Sequence, residues 1–504
     1  VPLGISTERR LAEMRICGKK VAGSGMQVRE IAAPAARHQD FLADAIRAFK
    51  NENAAAALTG RYRAHQAGSA ASDHKHIVMR HCRYTLTSNQ TGPDMRTIFA
   101  IALIACGAAY ADVADQRPAG LTGASWQFGP LNRWAYTHMR EILPTKEISN
   151  DPENVRPIPG IEDAVDDLTL RIGGEERMLS EVMSDLYVDG MLVIRDGKAV
   201  VERYDATGGT LTPARTHLLW SVSKTVTGLT AASVAADGLI DLNKTVADYV
   251  PALANTGWGQ DTLRTILDMR DSSNWTEDYD APDSTVRRQD CSDGLLTGPD
   301  CDGIPVVGNY VFLPGVGTDE ARAGRFAYKS GTTDVMAWVL EEATGLRFAD
   351  LVSQRIWQPI GAEKSAGITV DVSGFTLASG GMFTTLRDLG RVGLLMVNRG
   401  KVEDRQIVPA AWLDDIFRQP GDPNWPYDSP GNMEPYYRSF VWGLGDGAGT
   451  VTARGVHGQY IYVSPLTNIT IAMFSSWPNA DGGAEGVGHT ESLALLKAVE
   501  NALR

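Results

Sequence analysis

Two hairpin patterns, separated by about 250 residues of chain, constrain the fold more than any other feature. In the first, Asp196-Gly197 separates two β-rich runs that together span residues 191–204, and Asp-Gly between such runs predicts a tight turn. In the second, apolar runs at 459–463 and 469–475 flank a turn at 465–468. The long segment between the hairpins is punctuated by Pro and Gly and is mostly helical or looped in pattern. This arrangement predicts an α+β fold, with an antiparallel sheet flanked by helices and an inserted mainly helical domain.

Apolar spacing near 3.6 residues marks the helices of this prediction. Three such segments are residues 225–236, 332–343 and 491–503. The predicted domain covers residues 112–504, which is long enough to bury a large core. We expect its sheet subdomain at about 125–220 and 440–504, and its helical subdomain at about 221–440.

The first predicted helix begins with Ser221-Val222-Ser223-Lys224, a Ser-x-x-Lys motif. Residues three apart lie on one face of a helix, so the Lys224 amine would reach the Ser221 hydroxyl. A serine becomes nucleophilic when a neighbouring amine, kept neutral by burial, takes its proton. A second copy, Ser72-Asp73-His74-Lys75, lies in a polar tract without apolar periodicity, and the motif alone also fits two surface side chains. The apolar context therefore favours Ser221 as the nucleophile.

The first 111 residues differ from the rest in charge. They carry 15 Lys and Arg against 8 Asp and Glu, whereas the chain as a whole has a net charge of −13. Residues 95–111 have a charged start, an apolar run and a small-x-small end, which predicts a signal peptide. Residues 1–94 are then interpreted as a non-native or upstream extension, the alternative being a native extension with a buried helix. Residues 103–106 also resemble a lipoprotein box that would lipidate Cys106.

An exported protein is consistent with the cysteine pattern. Cleavage after Ala111 would leave two cysteines, Cys291 and Cys301, in a Gly- and Asp-rich segment. They are predicted to form a disulfide in an oxidising compartment, and two free thiols are the alternative. The net negative charge argues against nucleic acid as a partner, and no apolar run reaches membrane-spanning length. We therefore expect a periplasmic or secreted protein without a membrane span.

Other motifs narrow the chemistry. Tyr328 precedes the 332–343 helix and is a candidate proton relay, although a half-buried core tyrosine has the same pattern. Near the C-terminus, the backbone N–H of Val456 is a candidate partner for that of Ser221 in an oxyanion hole. His457 follows, and it fits an ordinary histidine at a strand end equally well. The sequence contains no Gly-x-Ser-x-Gly, no His-Glu-x-x-His and no nucleotide-binding glycine motif, so we expect neither a metal nor a cofactor.

Several motifs together resemble the serine β-lactamase and penicillin-recognising superfamily on its class C side. The resemblance is strongest to 6-aminohexanoate-dimer hydrolases and family VIII carboxylesterases, and it covers residues 125–504. The motifs are Trp220–Thr225, Tyr328-x-Ser330, Ala378–Met382 and His457–Gln459, with Arg133–Pro144 and the 459–478 tail typical of that branch.

The resemblance implies a role for each residue of the candidate site. Ser221 would be the acylated nucleophile, Lys224 its base and Tyr328 the proton relay, and the N–H groups of Ser221 and Val456 would bind the oxyanion. Candidate pocket residues are Ser330, His457, Trp275 and Tyr279, and for the two aromatics core packing is the alternative. Two departures matter: the Lys-Thr-Gly of lactamases and DD-peptidases is missing, and Ser330 replaces the lactamase Asn.

The predicted function is hydrolysis of small carboxylic esters or linear amides, such as a 6-aminohexanoate dimer, through a serine acyl-enzyme. The expected partner is a small-molecule substrate. One alternative is a β-lactamase or DD-peptidase, which the missing Lys-Thr-Gly disfavours. The other is a non-catalytic penicillin-binding-like module, which the intact Ser221, Lys224 and Tyr328 set disfavours.

Overall fold

The structure is a computed structural model that describes residues 117–204, 211–426, 435–482 and 486–504. The predicted extension, signal peptide and lipidation site, all within residues 1–111, lie outside the described residues. Within the described ranges no helix has both the length and the apolar composition needed to cross a lipid bilayer. The described chain has the α+β composition that the sequence predicts.

Fifteen strands form within the described residues, and eleven of them belong to two antiparallel sheets. The strands are β1 (Thr145–Ile148), β2 (Thr169–Ile172), β3 (Glu175–Met178), β4 (Val188–Arg195), β5 (Lys198–Tyr204), β6 (His217–Leu218), β7 (Ala366–Thr369), β8 (Met382–Thr384), β9 (Lys401–Val402), β10 (Arg405–Gln406), β11 (Tyr436–Arg438), β12 (Val441–Gly443), β13 (Val451–Gly455), β14 (Gln459–Ser464) and β15 (Ile469–Ser475).

Twelve α-helices form within the same residues, and the longest are the three that the sequence predicts. The helices are α1 (Asn132–Ala135), α2 (Leu179–Asp185), α3 (Val222–Ala236), α4 (Val246–Tyr249), α5 (Leu263–Leu267), α6 (Thr285–Asp293), α7 (Asn309–Phe312), α8 (Ser330–Thr344), α9 (Phe348–Val352), α10 (Leu386–Val397), α11 (Ala410–Phe417) and α12 (His489–Ala502).

Both predicted hairpins are present, and they lie side by side in the larger sheet, with β5 as its edge strand. The strand order is β11-β12-β13-β14-β15-β4-β5, and every neighbouring pair is antiparallel. β15 pairs with β4, and Ile471 lies opposite Val193. Strands from the two ends of the domain therefore meet in the middle of one sheet, as the hairpin positions predict.

Helices cover the seven-stranded sheet on both faces. Along β4, Leu192 and Ile194 pack in a core that includes residues of α3, α8 and α10, whereas Met191 and Val193 pack in a second core with α2 and α12. Successive side chains of a strand point to opposite faces. A sheet that is buried on both faces therefore requires strands with continuous apolar runs. Each fully buried apolar side chain contributes roughly 1.5–3 kcal/mol to the free energy of folding.

Helix α3 lies in the interior, and every residue from Val222 to Val234 is buried. Its threonines bond to carbonyl oxygens, so these hydroxyls are buried without losing their partners: Thr225 Oγ1 donates to Phe440 O at 2.9 Å and Thr230 Oγ1 to Val226 O at 2.8 Å. A four-stranded sheet, β1-β7-β8-β6, leads directly into this helix through β6. The N-terminus of α3 is thereby fixed between the two sheets.

The segment between residues 221 and 440 is not uniformly helical. It contributes β7 and β8 to the smaller sheet, and its helix α10 packs on β14, β15 and β4 of the larger one. A Cβ on Gly393 would lie 2.1 Å from Thr470 Oγ1, so only glycine allows this close packing. The predicted subdomain boundaries remain predictions. Helix α10 belongs to the segment predicted as the helical subdomain, but it packs on the larger sheet.

Candidate active site

Ser221 and Lys224 meet at the N-terminus of α3. Ser221 is the N-cap residue, and Lys224 lies one turn later. The Lys224 Nζ is 2.8 Å from Ser221 Oγ, 3.0 Å from Ser330 Oγ and 2.7 Å from the carbonyl oxygen of Ser379. The structure therefore brings together the predicted pair and adds two acceptors that fix the position of the amine.

Lys224 has the electrostatic environment that a lysine base requires. It is 1 % exposed, and this burial lowers the pKa of Lys224 to about 8. The carboxylates of Glu277, Asp334 and Asp290 act in the opposite direction, because negative charge favours the ammonium. A substantial fraction of Lys224 is consequently neutral in mildly alkaline solution, and the neutral amine is the form that accepts a proton.

Tyr328 completes the cluster around the nucleophile. Its side chain lines the same cleft as Ser221, and its ring centroid lies 5.1 Å from Lys224 Nζ. Burial, with the nearby charge of Glu277, raises the pKa of the Tyr328 phenol far above its usual value, and Arg454 opposes this more weakly. Tyr328 is therefore a protonated phenol near neutral pH, which suits a proton donor better than a phenolate base.

Ser330 begins α8 and connects Lys224 to a carboxylate that sequence reasoning missed. Its hydroxyl donates to Glu277 Oε1, and its backbone N–H donates to Glu277 Oε2 at 2.8 Å. Trp275 Nε1 and the Tyr279 hydroxyl also donate to Glu277, at 2.6 and 2.7 Å. The sequence draws attention to the segment 274–279 through its aromatics. Nothing in the spacing separates Glu277 from the neighbouring aspartates.

The end of β13 approaches the chain immediately before Ser221. A Cβ on Gly455 would lie 2.7 Å from Leu219 O and 3.0 Å from Ser221 N, so a larger residue does not fit there. This contact brings the backbone of Val456, the next residue, to the same cleft as Ser221. Trp220 has a φ of +46°, a left-handed conformation that costs a non-glycine residue about 1–2 kcal/mol. The close approach and the strained residue both lie at the nucleophile.

The cleft in front of Ser221 has two arms, and Tyr279 and Val456 line both of them. The first arm is mainly apolar and also contains Ser330, His457 and a polar group at Gln127, Arg287 and Asp290. Its apolar walls are Trp126, Phe128, Met139, Leu218, Trp220, Val286, Leu295 and Leu377. The second arm is polar and includes Tyr328, Glu277, Trp442, Arg454, Asp481 and His489. Four residues of the first arm, Trp126, Gln127, Phe128 and Met139, come from a segment well ahead of Ser221 in the chain.

Two predicted pocket residues have different surroundings. His457 lines the first arm, and its Nδ1–H donates to the carbonyl of Trp477 at 2.8 Å. Burial lowers the pKa of His457 to about 4, so the imidazole is neutral and forms a wall beside Trp220. Trp275 is not among the residues that line either arm; it is 1 % exposed and lies against Gly331 on α8. Its contribution is to packing and to the hydrogen bond with Glu277.

The helix α6 forms one side of the first arm and carries a cysteine. Cys291 follows Asp290 and is bonded to Cys301, with 5.3 Å between the two Cα atoms. Burial raises the pKa of Asp290 to about 7, against the opposing charge of Arg287. Arg287 Nη1 lies 3.4 Å from both Asp290 Oδ2 and Gln127 Oε1. The cysteine pair therefore connects a surface loop to a helix whose side chains face the cleft.

Comparisons with known proteins agree with this fold. The β-lactamase family profile matches residues 177–493. The chain is 34% identical over 378 residues to a 6-aminohexanoate-dimer hydrolase of Paenarthrobacter ureafaciens, covering 73% of this chain and 93% of that protein. A solved structure of a provisionally named 6-aminohexanoate-dimer hydrolase from Bacillus anthracis superposes with a TM-score of 0.67 at 27% identity, covering 76% of this chain and 97% of that one. These matches confirm the resemblance drawn from the motifs: the chain is a hydrolase that belongs to the β-lactamase family.

Proposed function

We propose that this protein hydrolyses small carboxylic esters or linear amides through an acyl-enzyme on Ser221. The observation that carries the proposal is the 2.8 Å contact between Lys224 Nζ and Ser221 Oγ, made by a lysine with a lowered pKa. A buried amine at hydrogen-bond distance from a serine hydroxyl is the arrangement that activates a nucleophile.

We assign a step to each group of the cluster. Neutral Lys224 takes the proton of Ser221 as Oγ attacks the substrate carbonyl, and the N–H groups of Ser221 and Val456 bind the oxyanion. Tyr328 then donates its proton to the leaving alkoxide or amine, and the phenolate is reprotonated from the Lys224 ammonium. Water attacks the acyl-enzyme with the same groups acting in reverse.

The shape of the cleft supports a linear substrate. The first arm offers apolar walls along a methylene chain, and its polar group includes a carboxylate at Asp290 and a guanidinium at Arg287. The similarity of this chain to a protein named 6-aminohexanoate-dimer hydrolase also supports linear amides with charged ends as candidate substrates. A short acyl chain with a polar terminus would place its methylene groups against the apolar walls and its terminus near Asp290 and Arg287.

Turnover of three substrate classes tests the proposal. Short-chain p-nitrophenyl esters, 6-aminohexanoate dimer and a chromogenic cephalosporin are offered to the full chain, to Ser221→Ala and to Ser233→Ala. Ser233 lies on the same helix three turns later and is a matched serine control. We expect ester or dimer turnover that Ser221→Ala abolishes and Ser233→Ala retains. Activity that survives Ser221→Ala refutes the nucleophile, and turnover confined to the cephalosporin indicates a β-lactamase. Stoichiometric labelling without turnover indicates a non-catalytic module.

We also propose that the protein is exported, with the signal peptide at residues 95–111. The cysteine pair Cys291–Cys301 supports this proposal, because disulfides persist in oxidising compartments. Expression of the chain from Met95 in a Gram-negative host, followed by fractionation and N-terminal sequencing, tests it. Product that begins at Asp112 in the periplasm is the expected result, and product that begins at Cys106 with a lipid indicates an anchor. Uncleaved product in the cytoplasm contradicts export.

A further inference from the structure

We propose that Glu277 is a positioning residue that determines which hydroxyl the Lys224 amine deprotonates. The inference rests on the proposed function, because it concerns the activation of Ser221. Glu277 receives four donors on its two oxygens, from Ser330 N, Ser330 Oγ, Trp275 Nε1 and the Tyr279 hydroxyl. Four converging donors fit a carboxylate, which accepts only, and they hold it in one position.

The consequence for Ser330 is that its proton has a fixed direction. A hydroxyl has one proton to donate and two lone pairs that accept. The Ser330 proton is directed to Glu277 by a charge-assisted hydrogen bond, which is stronger than a bond to a neutral acceptor. Ser330 Oγ therefore presents a lone pair to Lys224, 3.0 Å away.

The consequence for Lys224 is that the lone pair of the neutral amine can point only toward Ser221. A neutral amine has two N–H groups and one lone pair. Of the three groups that contact Nζ, the Ser379 carbonyl only accepts, and Ser330 is committed to accept by Glu277. The two N–H groups point at these acceptors, and the lone pair faces Ser221 Oγ at 2.8 Å. Without Glu277, either Ser221 or Ser330 could donate to the lone pair.

Asp334 gives the second acceptor a comparable support. Its carboxylate accepts from Ser379 N at 2.9 Å and from Ser379 Oγ at 3.0 Å, which fixes the carbonyl that faces Lys224. The charged and titratable groups that act on the amine are thus Glu277 in the loop before α6, Asp334 on α8 and Asp290 on α6, with the Tyr328 ring beside it. Among these carboxylates, Glu277 is the one that orients a hydroxyl in contact with the amine.

The test compares Glu277→Gln, Ser330→Ala and the double variant in p-nitrophenyl ester hydrolysis. In E277Q the amide N–H₂ group donates to Ser330 Oγ, so the Ser330 proton turns to Lys224 and competes with Ser221. We expect E277Q to lower kcat at least 30-fold. S330A alone is expected to lower it about 10-fold, and the double variant should match S330A within about threefold. Removing Ser330 should therefore raise the activity of E277Q.

Two further measurements separate this role from general support of the fold. The acid limb of the kcat/KM profile should shift to lower pH in E277Q, because loss of a negative charge favours neutral Lys224, and it should not shift in S330A. Glu277→Asp keeps the charge but withdraws the carboxylate oxygens from Ser330. We therefore expect E277D to have a lower kcat, to regain part of it when S330A is added, and to keep the acid limb of its kcat/KM profile in place. Near-UV circular dichroism identifies any variant that is not folded. If E277Q does not fold, E277D replaces it in the comparison with S330A.

The inference is overturned if E277Q lowers kcat by the same factor in the wild-type and S330A backgrounds, or if its acid limb stays in place. Ser221→Ala distinguishes this failure from failure of the proposed function. If S221A abolishes hydrolysis while the E277Q and S330A effects multiply, only the role of Glu277 is refuted. If hydrolysis survives S221A, the proposed function fails regardless of the other variants.

Discussion

Lys224 and Lys329 are two fully buried lysines whose replacement by methionine should have different consequences for stability. Lys329 Nζ is 2.9 Å from Asp271 Oδ1 and also bonds to the carbonyls of Asp271 and Ser273. Lys224 contacts only uncharged groups directly, and burial lowers its pKa from 10.5 to about 8. The ammonium of Lys224 therefore destabilises the folded protein, whereas that of Lys329 neutralises a buried carboxylate.

The pKa of Lys224 gives the size and the sign of the effect. The folded state loses the Lys224 proton near pH 8 and the unfolded state near pH 10.5. Between these values the unfolded chain binds more protons, so stability rises with pH. At about 1.4 kcal/mol per pKa unit, the lowered pKa of Lys224 destabilises the fold by about 3 kcal/mol below pH 8. Raising the pH from 7 to 9.5 removes about 2 kcal/mol of this destabilisation.

Urea unfolding of wild type, Lys224→Met and Lys329→Met at pH 7 and pH 9.5 measures these differences. We expect the stability of K224M relative to wild type to fall by about 2 kcal/mol between the two pH values, because only wild type gains from deprotonation. K329M should be less stable by about 3–5 kcal/mol at pH 7, since it leaves Asp271 buried without its partner. A K224M difference that is independent of pH, or that grows with pH, would refute the reasoning.

Three other outcomes follow from the geometry. Gly455→Ala should lower kcat roughly 10²-fold in the ester assay with little change in KM, because the added Cβ would meet backbone atoms of Leu219 and Ser221 and displace an oxyanion donor. An unchanged kcat would contradict the proposed oxyanion hole. The kcat/KM profile should rise with pH and reach half its maximum near pH 8, as Lys224 loses its proton; a profile flat from pH 6 to 9 would exclude Lys224 as the base. Replacing Cys291–Cys301 by two serines should lower the unfolding free energy by about 2–4 kcal/mol in urea, and equal stability in oxidised and reduced wild type would argue against the bond.

Much of the catalytic cluster was predictable because its members carry strong local signals. Ser221 and Lys224 are three residues apart on one helix, so local geometry alone brings them together. The β4-β5 hairpin was predictable for a similar reason, since an Asp-Gly turn joins strands that pair with each other. Tyr328 was identified from its place in a motif, and in the structure it lines the same cleft as Ser221.

Glu277 and Ser379 were not predictable from their local sequence. Each acts on Lys224 across more than fifty residues of chain, through contacts that depend on how α8 packs against the loop before α6. The same holds for Trp126 and Gln127, which reach the cleft from a segment far ahead of the nucleophile. The exposure of Trp275 was also undetermined, because an aromatic side chain suits a pocket wall and a core equally well.

Local sequence signals are enough to specify the hairpins, the main helices, and the Ser221–Lys224 pair on one helical face. These depend on turn chemistry and apolar periodicity, which act over a few residues. The burial of Lys224 among Ser330, Ser379 and Ser221, which lowers its pKa to about 8, depends instead on long-range packing. Burial and hydrogen-bond direction are properties of segments brought together from distant parts of the chain, so they arise only when the sheets and helices pack.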